Sequence, residues 1–164
     1  MYLRLILIMM ETTRQIAKHF RDVHFGGNWT SVNLKDTLAD ISWQQAVTKV
    51  HNLNTIAVLV FHVNYYVSAM LKVLQGTPLK AHDKYSFDLP PLTSEAAWEE
   101  LVAKTLTEAE QMAVLIEQLD DEQLEKDFAD AKYGSYHRNL LGVTEHTHYH
   151  LGQIAVIKKM LNEK

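Results

Sequence analysis

The chain has nine histidines and no cysteine, so imidazole and carboxylate are the metal-ligand chemistry open to it. The stretch Glu145-His146-Thr147-His148-Tyr149-His150-Leu151-Gly152-Gln153 lies in a proline-free run with helical periodicity. At about 3.6 residues per turn, His146 and His150 share one face and His148 turns to the other side. Val143, Ile154, Ile157 and Leu161 fall near the face of the pair, which is therefore expected to look inward. Two imidazoles at i and i+4 can hold one metal ion, because their Cβ atoms stand about 5–6 Å apart. Spacing alone also fits a pair of core or surface histidines. A third ligand is what a metal centre requires.

His62 is the candidate third ligand. It sits in Ile56-Ala57-Val58-Leu59-Val60-Phe61-His62-Val63, a segment apolar on all sides and therefore expected to be buried on more than one face. An unpaired polar group there costs a few kcal/mol, so His62 needs a partner. Tyr65, Tyr66 or a backbone carbonyl can supply one. So can His146 and His150, if the helices carrying them are neighbours. Three neutral imidazoles leave a coordination position open, which is the catalytic pattern and not the structural one. His148 is expected at the surface, and His19, His24, His51, His82 and His137 as ordinary histidines.

Four long helices are needed to position these residues. The first runs from Glu11 through Ile16, Phe20 and Val23 and is ended by Phe25-Gly26-Gly27-Asn28. Ser31 or Asn33 and then Ser42 can cap two short helices through Leu34–Ile41 and Ala46. The second long helix spans about Leu53 to Leu74 and stops at Gly76-Thr77-Pro78. Residues 77–92, with Pro78, Pro90 and Pro91, read as a long loop crossing the bundle. The third helix starts at Thr93-Ser94-Glu95 and carries a 3.6 period from Trp98 to Leu119. Asp120–Leu124 is a polar corner with room for one helical turn. Phe128–Arg138 reads as a loop or a short β-like excursion, and the fourth helix spans about Asn139 to Leu161. The expected architecture is all-α, a four-helix bundle whose long loop permits a crossover connection, forming a single domain over residues 1–164.

Composition narrows the partners. A formal net charge of −4 gives no basic face for nucleic acid. The apolar residues 1–10 fall far short of the ~20 needed to span a bilayer and lack the flanks of a signal peptide. They are read as an extension of the first helix that packs against something. No membrane association and a cytoplasmic location are expected. The surplus apolar surface of Met1–Met10 and of the second helix leads to the expectation of a homodimer.

A histidine inside an apolar helix, followed much later by His-x-x-x-His-x-Gly-Gln, resembles the DinB-like (DinB/YfiT-like) superfamily of metalloenzymes. The residues carrying the resemblance are His62 in Val60-Phe61-His62-Val63-Asn64-Tyr65-Tyr66 and His146-Thr147-His148-Tyr149-His150-Leu151-Gly152-Gln153. Leu74-Gln75-Gly76 and the connector around Trp29 are also similar, so the likeness extends from about Glu11 to the end of the chain. It implies crossover connectivity, frequent dimerisation and a divalent metal, zinc or nickel foremost, held by His62, His146 and His150. It implies that Gly152 permits close helix approach and that Gln153 supports the site. It further implies an enzyme that transfers a low-molecular-weight thiol to a small electrophilic substrate. Metal-dependent hydrolysis, or a non-enzymatic, stress-related metal-binding role, stand as alternatives.

Overall fold

The computed structural model describes residues 2–163, with side chains from residue 12 onward. The expected packing of Met1–Met10 therefore lies outside the described residues. Seven α-helices and no strand occur among the described residues: α1 (Tyr2–Phe25), α2 (Leu34–Leu38), α3 (Trp43–Val47), α4 (Ile56–Leu74), α5 (Glu95–Glu117), α6 (Asp121–Leu124) and α7 (Tyr136–Asn162).

Side-chain caps set the helix starts. Thr55, Ser94 and Ser135 accept hydrogen bonds from the backbone N–H groups of Val58, Ala97 and Arg138, satisfying donors that a helix N-terminus leaves free. Ser42 and Gln45 form a reciprocal capping box at α3. The fourth long helix begins at Tyr136, a turn earlier than its hydrophobic pattern indicates, because Ser135 caps it. The segment before it makes the anticipated β-like excursion. Asp127 and Ser135 form an isolated antiparallel bridge, Phe128 N–H donates to Gly134 O at 2.8 Å, and Tyr136 N–H donates to Lys126 O at 2.9 Å.

The four long helices make the pairings a four-helix bundle requires. Both α1 and α4 are flanked by α5 and α7, so α1 and α4 face each other across the diagonal. Two hydrophobic clusters divide the core along its length. One joins Phe20 of α1, Leu71 of α4, Ile116 of α5 and Leu140 of α7. The other joins Val23 of α1, Ile56 of α4, Trp98 of α5 and Ile154 of α7, together with Leu34 and Ala46 of the short helices. Hence α1 and α7 run from the first cluster to the second, whereas α4 and α5 run the opposite way. The neighbours α4 and α5 are parallel, and the chain between them must return along the whole bundle.

Residues 75–94 make that return as a strap laid along α4. Leu79 packs on the first cluster, and Leu89 and Leu92 pack on the second. Midway, a short 3-10 turn at Asp83–Tyr85 is fastened to α4. Tyr65 Oη donates to His82 O at 3.1 Å and accepts from His82 N–H at 2.9 Å, and Tyr66 Oη donates to Asp83 Oδ1 at 3.0 Å. This strap is the long crossover expected from the sequence.

By length and composition α4 is apolar enough to cross a membrane, yet 61% of it is buried inside this chain. Leu59, Val60, Val63 and Val67 are all nearly inaccessible, enclosed by α5, α7, α3 and the strap.

Candidate metal centre

The antiparallel packing of α4 on α7 brings the middle of each helix to the same level, between the two apolar clusters. His62 projects from α4 and His146 and His150 from successive turns of α7. His146 Nε2 lies 3.0 Å from His62 Nε2 and 3.1 Å from His150 Nε2. Ligand-capable atoms of all three residues fall within 4.8 Å of one another. Nitrogens bound to one zinc ion at about 2.0–2.1 Å stand about 3.3 Å apart, so the spacing suits a shared cation after little adjustment. The three residues expected from the sequence are brought together.

Outer contacts fix the tautomers. His62 Nδ1–H donates to the carbonyl oxygen of Ser86 at 3.2 Å, and His150 Nδ1–H donates to Gln153 Oε1 at 2.8 Å. Both neutral rings then present bare Nε2 lone pairs to the centre. His146 Nδ1 is buried and has no partner among the described residues. A single proton on His146 Nε2 can serve only one of its two neighbours, so the group is short of positive charge at its centre. A cation at the convergence point would supply it. The donor set and the outer-shell hydrogen bonds both fit a metal.

Burial keeps these rings neutral. His146 is pushed down to about 4, first by burial and then by His150 and His62. His62 is lowered by burial and by His150, and His150 by burial. At neutral pH the rings are therefore held in the neutral form that a metal ligand requires.

Aromatic groups enclose the cluster. Phe87 of the strap stacks on His62 at a centroid distance of 3.8 Å and 12° between planes. The Tyr66 ring meets His62 and His146 edge-on, at 5.2 and 4.9 Å. His146 is the member of the cluster that meets a groove. A groove of about 360 Å³ between α4 and α7 reaches His146 past Tyr66, Met70 and Gly142, with Glu145 on its wall and Arg138 at its far end.

Two expectations are corrected here. Gly152 is no close-contact glycine, because a Cβ built on it meets nothing within 4 Å. It opens onto a second groove of about 520 Å³ lined by Leu53, Tyr149 and Gln153. His148 does turn away from the cluster, but it is half-buried against α1 and not at a free surface, with its ring 6.0 Å from that of His19. The reason is the α1–α7 contact on that side. His24 is fully buried, with Nδ1–H donating to Phe20 O at 2.8 Å and Nε2 unpartnered among the described residues.

The strap's contribution escapes the sequence reading. Asp83, Ser86 and Phe87 reach the site through chain reversal and a backbone carbonyl, neither of which leaves a side-chain pattern. The only available signal is a need: a buried His62 demanding a carbonyl or tyrosine. Comparison with family models, curated proteins and solved structures finds no match to this chain, so the site is read from its own geometry.

Proposed function

We propose that the chain is a metal-dependent enzyme of the DinB-like type, transferring a low-molecular-weight thiol to a small electrophile. The observation that carries the reading is the meeting of three Nε2 atoms beside an open groove, two of them aimed by outer hydrogen bonds. His62, His146 and His150 would hold the ion. A divalent metal bound there supplies a Lewis acid that lowers the pKa of a thiol towards neutrality.

The protein's own groups do the rest. Ser86 and Gln153 orient two of the imidazoles, while Phe87 and Tyr66 exclude water from one side of them. The groove ending at Arg138 positions the reactants against His146. In the net reaction the thiol sulfur forms a bond to the electrophilic carbon, the bond from that carbon to its leaving group breaks, and the thiol proton departs with the leaving group. The nucleophile comes from the co-substrate, in keeping with a chain that has no cysteine.

The test is conjugation of a panel of small thiols to an activated aryl chloride by metal-loaded protein. His150→Ala is expected to abolish the rate with the helical signal retained. A rate that survives His150→Ala contradicts the reading. Metal-dependent ester hydrolysis without thiol conjugation would reassign the site to a hydrolase.

A further inference from the structure

Another groove lies where α4 meets its parallel neighbour α5, with no histidine on its lining. Its volume is about 490 Å³. One stripe of α4, Phe61, Tyr65, Ser68 and Lys72, forms its floor, and Ala97, Leu101 and Lys104 of α5 form its wall. Because the helices are parallel, both stripes change character in the same direction. Each is apolar near the Trp98 end of the bundle and basic farther on. From Phe61 to Lys72 the floor extends ~16 Å at 1.5 Å per residue.

The strap roofs this groove. Leu89-Pro90-Pro91-Leu92 covers the apolar end, where two consecutive prolines hold the backbone extended and give up two N–H donors. Lys80 arrives at the basic end from the same strap. Lys104 is partly neutralised by Glu108, whose carboxylate lies 3.8 Å away and also accepts from Asn64 Nδ2 at 3.0 Å. Lys72 and Lys80 form no ion pair among the described residues. Glu100 is the one carboxylate on the lining, on the same helix face one turn before Lys104. The uncompensated positive charge therefore concentrates at one end of an otherwise apolar trough.

We propose that this groove binds an amphiphilic carboxylate, its apolar body against Phe61, Leu89 and Leu101 and its anion between Lys72 and Lys80. The rigid apolar roof supplies burial without an ordering cost, and the two lysines fix the direction in which the ligand lies. The site shares no lining residue with the histidine cluster and does not depend on the activity proposed there.

Octanoate is the probe, titrated into the full-length protein by calorimetry with octanamide as the neutral analogue. Saturable binding of octanoate is expected, and octanamide should bind more weakly. Replacing both lysines, K72Q with K80Q, should weaken octanoate by about tenfold, the combined effect of two exposed charges. Ala69→Phe, at an α4 residue that also lines the groove, fills the trough with both lysines kept and should abolish binding, while its circular dichroism and melting temperature report that the fold is kept. No saturable octanoate binding by the wild-type protein overturns the proposal. So does octanamide binding as tightly as octanoate, or affinity unchanged in the double lysine variant.

Discussion

Ser86, at the middle of the strap, places its carbonyl oxygen 3.2 Å from His62 Nδ1, in the middle of α4. The contact spans 24 positions in sequence and makes the crossover part of the candidate metal centre, not merely a connection. It donates no side chain, so its integrity depends on what holds the strap in place.

Tyr65 and Tyr66 are what hold it. Replacing both with phenylalanine should loosen residues 82–87 and leave α4 intact. Hydrogen exchange is the measurement: amides of the strap should exchange faster while those of α4 stay protected, and metal affinity should fall in parallel. Unchanged exchange in the strap would contradict this role.

Gln153 should tune the metal through His150. Gln153→Leu removes the acceptor of the 2.8 Å bond and frees the ring to rotate or change tautomer. Affinity should drop by about 10–100-fold in competition with a chelating dye, the usual effect of losing an outer-shell partner. Gln153→Glu, which keeps an acceptor, should retain most of it.

How far the sequence revealed all this depended on whether a feature was local. His62, His146 and His150 were legible because helical periodicity turns spacing into direction, and apolar surroundings turn a histidine into a buried one. A long loop able to cross the bundle was legible from Pro78, Pro90 and Pro91, and the resemblance turned that possibility into an expected crossover. Where residues 82–87 meet α4 was not, since contact across chain reversal carries no periodicity. Gly152 misled for a related reason. A glycine beside a metal motif suggests close packing, but only the position of the neighbouring elements decides whether anything approaches it.

Those glycines give a stability test. Gly142 and Gly152 both lie within α7, and a Cβ on either meets nothing within 4 Å. Gly142→Ala and Gly152→Ala should each stabilise the protein by about 0.5–1 kcal/mol, by reducing the freedom of the unfolded chain. Denaturant melts check this, and a loss of stability at Gly152 would restore the close-approach reading.

His24 should make stability depend on acid. Its folded pKa is pushed down to about 4 by burial, against 6.5 in an exposed histidine. Between those values the unfolded chain takes up a proton that the folded protein refuses, so stability falls as pH falls. The contribution is complete above pH 6.5 and is lost progressively towards pH 4. Its size is about 1.4 kcal/mol per pH unit, to a total of about 3 kcal/mol. His24→Leu should flatten this part of the curve relative to wild type, with both proteins free of metal. Parallel curves would show that His24 is not the group responsible.

The most direct test of the whole account is the stoichiometry of metal binding. Protein stripped with chelator and titrated with zinc or nickel should take up one ion per chain. His62→Ala, His146→Ala and His150→Ala should each weaken binding by at least about 100-fold, the scale on which losing a direct ligand exceeds losing an outer-shell partner. His148→Ala should bind as the wild type does, because that ring faces α1. One ion per chain, lost in the first three variants and kept in the fourth, is the result predicted. Metal retained at full affinity by any of the first three, or lost in His148→Ala with the fold intact, would contradict it.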